Sequence, residues 1–203
     1  MRDRLIFGGL FALGFAILGA SWLNIAGANA DTQVPNDHSG PVMVIEVAGE
    51  ANGTMRVALR DDLAPQHVER IVTLAERGDY DGVVFHRVID GFMAQTGDVA
   101  NGREGGNPRA WGTGGSDMPN LPAEFTAQPF ERGVVGMARS QNPDSANSQF
   151  FIMFAPAPHL NGQYTVVGQL IDGYDVLDAI KRGTGGNGAV VGEPDRMARV
   201  TIE

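Results

Sequence analysis

The chain has 203 residues, 28 glycines and no cysteine, and its 15 basic and 24 acidic residues give a net charge of −9. That length suits one domain, and 43% hydrophobic with 19% charged residues excludes wholesale disorder. Zero cysteine excludes disulfides, thiolate metal sites and cysteine nucleophiles. The acidic balance makes a nucleic-acid backbone a poor partner, because binding it needs clustered Lys and Arg, and Lys181 is the sole lysine.

Residues 1–30 differ from the rest. Arg2 and Arg4 precede an apolar run from Leu5 to Ala28, broken only by Ser21 and Asn24, and Ala28-Asn29-Ala30 follows. A charged start, an apolar stretch and a small-x-small end are the parts of a cleaved secretory signal. The run from Leu5 to Ala28 is equally long enough for an uncleaved membrane anchor, with Arg2 and Arg4 holding its start in the cytoplasm. Both readings imply a periplasmic or other extracytoplasmic protein, touching membrane only through residues 5–28 if uncleaved. Residues 31–40, DTQVPNDHSG, read as a linker, and residues 41–203 as one domain.

Within that domain the elements follow in order. Val42 to Val47 and Thr54 to Leu59 predict two strands joined by a turn at Glu50 to Gly53. Val68, Ile71, Val72 and Ala75 recur at helical spacing, with Pro65 in the first turn and Gly78 past the end. Val83 to Ile89 and Phe92 to Thr96 predict strands joined at Asp90-Gly91, followed by a long glycine-rich loop from Gly97 to Pro122. Gly133 to Arg139, Gln149 to Phe154 and Tyr164 to Ile171 predict further strands. Leu177 and Ile180 share one side of a short second helix that Gly183 stops, and Met197 to Ile202 is the last strand. Eight strands, two helices and many glycine turns predict a mainly β fold, a closed eight-stranded antiparallel barrel capped by two α-helices.

No nucleophile, metal or cofactor pattern stands out. No pair among His38, His67, His86 and His159 has zinc spacing; Ser148 lacks the glycines of a nucleophile elbow; the clusters at 112–115 and 185–188 read as loops. Any activity should therefore need neither metal nor cofactor. The segment FHRVIDGFMAQTGD, Phe85 to Asp98, carries a strong cation, Arg87, on a predicted strand. Period-two alternation puts it on one face with Phe85 and Ile89. An arginine sharing an apolar face is unusual for a packed core, and the bland alternative is a barrel-end arginine reaching solvent.

That segment resembles the signature of the cyclophilins, peptidyl-prolyl cis-trans isomerases. The similarity continues, in the family's order, in Gly112 to Ser116, Ala123-Glu124-Phe125, Gly136 to Arg139, Asn147 to Ile152, His159 to Gly162 and Val166 to Gly168. The resemblance spans residues 41–203 and implies an eight-stranded barrel with two helices, rotating X-Pro bonds in polypeptides without a cofactor. It implies that Arg87 is the catalytic arginine. Phe92, Met93, Phe151 and Leu160 would receive the proline ring, and Gln95 would hold the substrate backbone. The main chain at Ala138 and Arg139 would pair with the residue before proline. His159 stands where many animal members have tryptophan and Tyr164 where they have histidine, which implies weak cyclosporin binding. Arg139 replaces a common asparagine, and the loop from Gly97 to Pro122 is longer than usual.

Proline-containing, unfolded or partly folded exported polypeptides are the expected partners of a monomer. Two other readings stay open at this point: a non-catalytic proline-peptide-binding module or chaperone using the same groove, and a structural envelope protein held by its N-terminal anchor.

Overall fold

A computed structural model of the chain describes residues 40–203. The export segment and all but the last linker residue lie outside the described residues. Among the described residues no helix is long and apolar enough to cross a membrane.

Strand β1 (Val42–Ala48) alternates, burying Met43, Ile45 and Val47, and pairs antiparallel with β2 (Gly53–Leu59), Ile45 opposite Met55. The turn between them falls where Glu50 to Gly53 predicts it. Helix α1 (Pro65–Glu76) starts with proline, whose missing N–H costs nothing in a first turn, and buries Val68, Ile71, Leu74 and Ala75. It ends as the sequence implies. Gly78 takes φ 71°, a left-handed conformation that penalises other residues, so that Gly78 N–H donates to the Ala75 carbonyl and Asp79 N–H to that of Leu74. The other helix, α2 (Tyr174–Ala179), is shorter than predicted. Gly183 does not stop it. Ile180 already has extended backbone, and Lys181 N–H donates to the buried carboxylate of Asp195, which draws the chain away.

The predicted strand from Val83 to Ile89 is two strands, β3 (Val83–Val84) and β4 (Arg87–Ile89). The remaining strands are β5 (Met93–Thr96), β6 (Val134–Met137), β7 (Phe150–Met153), β8 (Val166–Asp172) and β9 (Arg196–Ile202), and all nine form one antiparallel sheet in the order β3-β9-β1-β2-β8-β6-β7-β5-β4. The sheet is curled, and its two edge strands are successive pieces of one chain segment. Phe85 and His86 carry the chain from one edge to the other. Phe85 N–H donates to the Asp195 carbonyl, one residue past the β3–β9 pairing, and Val190 N–H to that of His86, beside the Arg87–Ala189 bridge, so the chain changes partner here. This break also corrects the face assignment. Phe85 is fully buried in the main core, whereas Arg87 and Ile89 project to the other side.

Alternation then sorts the sheet into two faces. Ala94, Val135, Met137, Phe150 and Ile152 enter the main core with Met43, Leu59, Ile71 and Tyr80. Their neighbours Met93, Val134, Phe151 and Met153 build a second apolar cluster on the opposite face, with Phe130, Leu160 and Val166. Gly136 sits between those faces. A Cβ there would lie 2.6 Å from the Phe130 ring and 2.7 Å from that of Phe151, so glycine is what lets both rings lie across β6.

Candidate active site

The second cluster carries the sequence-predicted residues. Register puts Arg87 opposite Gln95 and Gln95 opposite Phe151 on three adjacent strands, so their side chains rise side by side from the outer face. Phe92, Ala138 and Tyr164 pack against the cluster that Met93, Phe151 and Leu160 help to build. Phe130 stacks on Phe151 at 5.8 Å between centroids, and Tyr164 sets its edge against both rings. His159 lies exposed at the rim, its ring 5.7 Å from that of Phe92.

Arg87 is tightly held. Its Nε donates to the Asn187 backbone carbonyl at 2.9 Å, Nη2 to the Asn187 side-chain oxygen at 3.1 Å and Nη1 to Gln95 Oε1 at 3.1 Å. Nη1 also leans on the Met93 sulfur at 3.9 Å. Of five N–H donors, three therefore meet oxygen, one meets a weak acceptor and one on Nη2 is uncommitted. Among the described residues no carboxylate pairs with this guanidinium. Burial lowers its pKa from the ordinary arginine value, partly opposed by Tyr164. That ordinary value is high enough to keep the charge at neutral pH.

Gln95 is itself oriented. Its Nε2 donates to Gln149 Oε1 at 3.0 Å, and Gln149 Nε2 donates to the Gly114 carbonyl at 2.7 Å. A hydrogen-bonded line thus runs from the glycine-rich loop to Arg87. Ala138 extends β6 by donating its N–H to the Gln149 carbonyl. Arg139 does not point at Arg87. Its guanidinium lies 4.3 Å from the Tyr164 ring centre and donates to the carbonyls of Gln163, Ser140 and Gln141. Ala138, Arg139, Gln95 and Gln149 border a polar recess of about 450 Å3 beside the apolar cluster.

Three residues of the site escaped the sequence reading. Gln149 was legible in principle, because it alternates with Phe151 and Met153 along one strand. Asn187, between glycines, signals a positive φ, and it is the one described non-glycine residue there, at 55°. Nothing local reveals its contact with Arg87. Phe130 lies in a loop without periodicity, and only the folded chain shows it to be the floor of the cluster.

What this arrangement offers is a charged, rigidly aimed donor beside an apolar depression, with oriented amides between. It contains no activated nucleophile: Ser148 is buried and donates its hydroxyl to the Gly97 carbonyl.

The family model described as cyclophilin type peptidyl-prolyl cis-trans isomerase matches residues 42–202. A probable peptidyl-prolyl cis-trans isomerase of Brucella suis is 56% identical over 154 residues, spanning 75% of this chain and 79% of that relative. The crystal structure of cyclophilin AquaCyp293 from Hirschia baltica has a TM-score of 0.64 at 25% identity, covering 79% of this chain and 73% of that one. A Cryptosporidium parvum cyclophilin type isomerase, solved in the presence of the dipeptide Ala-Pro, has a TM-score of 0.66 at 25% identity, covering 80% and 98%.

Proposed function

We propose residue roles for a chain that belongs to the cyclophilin-type peptidyl-prolyl cis-trans isomerases and rotates X-Pro bonds in proline-containing peptides. Rotation about a peptide bond faces a barrier of about 18–20 kcal/mol, because the nitrogen lone pair is shared with the carbonyl. Before proline the isomers differ by only about 0.5–1 kcal/mol, yet exchange takes tens to hundreds of seconds. No bond needs to break. In the transition state the prolyl nitrogen pyramidalises and becomes a better acceptor. A fixed guanidinium aimed at it stabilises that state more than the ground state.

Arg87 is that donor. The observation that carries the assignment is its grip by Asn187 and Gln95, which leaves an Nη2 hydrogen uncommitted on a guanidinium that touches Met93 of the apolar cluster. Phe92, Met93, Phe151 and Leu160 hold the proline ring while the preceding carbonyl swings. Burying a ring-sized apolar surface contributes on the order of 2 kcal/mol at about 25 cal/mol per Å2. Gln95, already oriented by Gln149, holds the substrate backbone, and the main chain at Ala138 and Arg139 pairs with the residue before proline. His159 and Tyr164 complete the rim.

The test is Arg87→Ala in a proline-isomerisation assay on a short peptide. A loss of at least tenfold is expected, equal to about 1.4 kcal/mol of transition-state stabilisation. A folded variant with full activity removes Arg87 from the mechanism.

The pattern of residues 1–30 supports an exported enzyme that acts on polypeptides folding outside the cytoplasmic membrane. Mass measurement on the native envelope should find a chain starting at Asp31, or a full-length chain in the membrane pellet. Soluble full-length chain in the cytoplasm contradicts both.

A further inference from the structure

Three recesses lie in series along one side of the site. The polar recess of about 450 Å3 ends at Gln95 and Gly112. A second, of about 350 Å3, shares those two residues and adds Arg87, Pro108 and Trp111. A third, of about 650 Å3, shares Pro108 and Trp111 with the second and runs on to Glu50, Lys181 and Arg196. Shared lining residues make them neighbours, from the isomerisation site to Trp111.

We propose that the two recesses beyond Gln95 and Gly112 form one groove that binds the stretch of unfolded client polypeptide flanking the proline, with Trp111 and Pro108 as its apolar platform. The proposal rests on the assignment of Arg87 and the apolar cluster as the place where the proline turns. Its occupant is then fixed by continuity, since a chain seated there must leave the site along its neighbouring surface. Charge agrees. In the third recess Glu50, Glu104 and Glu193 face Lys181 and Arg196, with Lys181 paired to Glu50 at 2.8 Å and Arg196 to Glu104 at 3.1 Å. With three carboxylates against two cations, such a wall does not attract a polyanion.

The platform is also preformed. The buried carboxylate of Asp98 accepts the N–H groups of Asn101, Gly112 and Gly114, and so ties both ends of the Trp111 loop. Arg103 fastens the same loop through the carbonyls of Asp81 at 2.6 Å and Asp79 at 3.0 Å. A loop fixed before binding loses little entropy when a client arrives.

The experiment compares the full chain on a short X-Pro tetrapeptide and on a peptide with about eight residues on each side of the same proline. The readout is the ratio of kcat/KM, long over short. Trp111→Ala should lower that ratio at least fivefold, chiefly through KM. Arg87→Ala should lower both rates and leave the ratio unchanged, so failure of the catalytic assignment is seen separately. Because Trp111→Ala can disturb the loop, a second measurement keeps the backbone intact. Indole emission of the unaltered chain should shift with the long peptide and not with the tetrapeptide, and Trp111→Phe should abolish the shift. An unchanged ratio in Trp111→Ala, or no emission shift with the long peptide, overturns the proposal.

Discussion

Arg87 and Asn187, one hundred residues apart in sequence, are joined by two hydrogen bonds, one from Nε to the Asn187 carbonyl and one from Nη2 to its side-chain oxygen. Asn187 makes this clamp from a tight turn between glycines, at φ 55°. The clamp fixes the guanidinium plane before substrate arrives. Removing the side chain with Asn187→Ala leaves the backbone acceptor but takes away the partner of Nη2, so the guanidinium plane is held less firmly. We expect kcat to fall by about fivefold to tenfold, equal to about 1 kcal/mol, with KM moved less. Steady-state kinetics on a short peptide check this; an unchanged kcat shows that Gln95 and the Asn187 backbone carbonyl suffice to orient Arg87.

Gly136 permits the stacking of Phe130 on Phe151 across β6. Gly136→Ala puts a methyl group within 3 Å of both rings. The rings cannot both stay, and overpacking of this kind costs about 1–3 kcal/mol. A lowered urea midpoint, together with a raised KM for proline peptide, is the expected result. Wild-type stability in the variant shows that the cluster relaxes at no cost.

Burial pushes the His86 pKa down to about 4, opposed only in part by nearby Asp98 and the Val84 carbonyl. The unfolded value is about 6.5. Between those values the unfolded chain binds a proton that the folded chain refuses. Stability is therefore complete above about pH 6.5 and falls as pH drops toward 4, by on the order of 3 kcal/mol in total. Glu124 acts in the same direction. Although burial alone would raise its pKa, hydrogen bonds from His67 and the Gln66 backbone hold it below the ordinary carboxylate value. Its contribution is lost as pH falls through that depressed value. Chemical unfolding at a series of pH values measures the slope, and His86→Leu should flatten it between pH 6.5 and 4. An unaltered slope in a folded His86→Leu protein assigns the acid sensitivity elsewhere.

His159 lies exposed against Phe92 at the rim. In cyclosporin-sensitive members the resemblance puts a tryptophan here, whose indole N–H donates to the drug. Histidine offers a smaller ring and a differently placed donor, so weak cyclosporin binding is expected. His159→Trp should tighten the drug at least tenfold by calorimetric titration, with proline-peptide turnover little changed. Tight binding by the parent chain, or no gain in the variant, removes His159 from the drug-contacting rim.

Much of the site was legible through the resemblance, whose motifs carry its residues in order, while strand alternation singled out Arg87 alone. Arg87, Gln95 and Phe151 were readable as candidates, and the structure puts them side by side. The same alternation misled at Phe85. Its rule assumes an unbroken ladder, and the segment from Val83 to Ile89 changes partner halfway. Asn187, Phe130 and the tether at Asp98 were hidden for another reason. Each acts through a contact distant in sequence, and no local pattern encodes a distant partner.

By itself, then, the sequence determined most of the elements: strands from period-two hydrophobicity, the end of α1 from Gly78, the family from motifs in order. Only the tertiary structure decided which face of β5, β6 and β7 would be core and which would be site. That choice depends on curling, because a curled sheet gives one face to the enclosed core and leaves the other to be covered by Phe130, Leu160 and Tyr164. It also decided how the guanidinium of Arg87 is aimed. Strand register sets Gln95 beside it, but the turn that carries Asn187 reaches it only after the chain has returned along the far edge of the sheet.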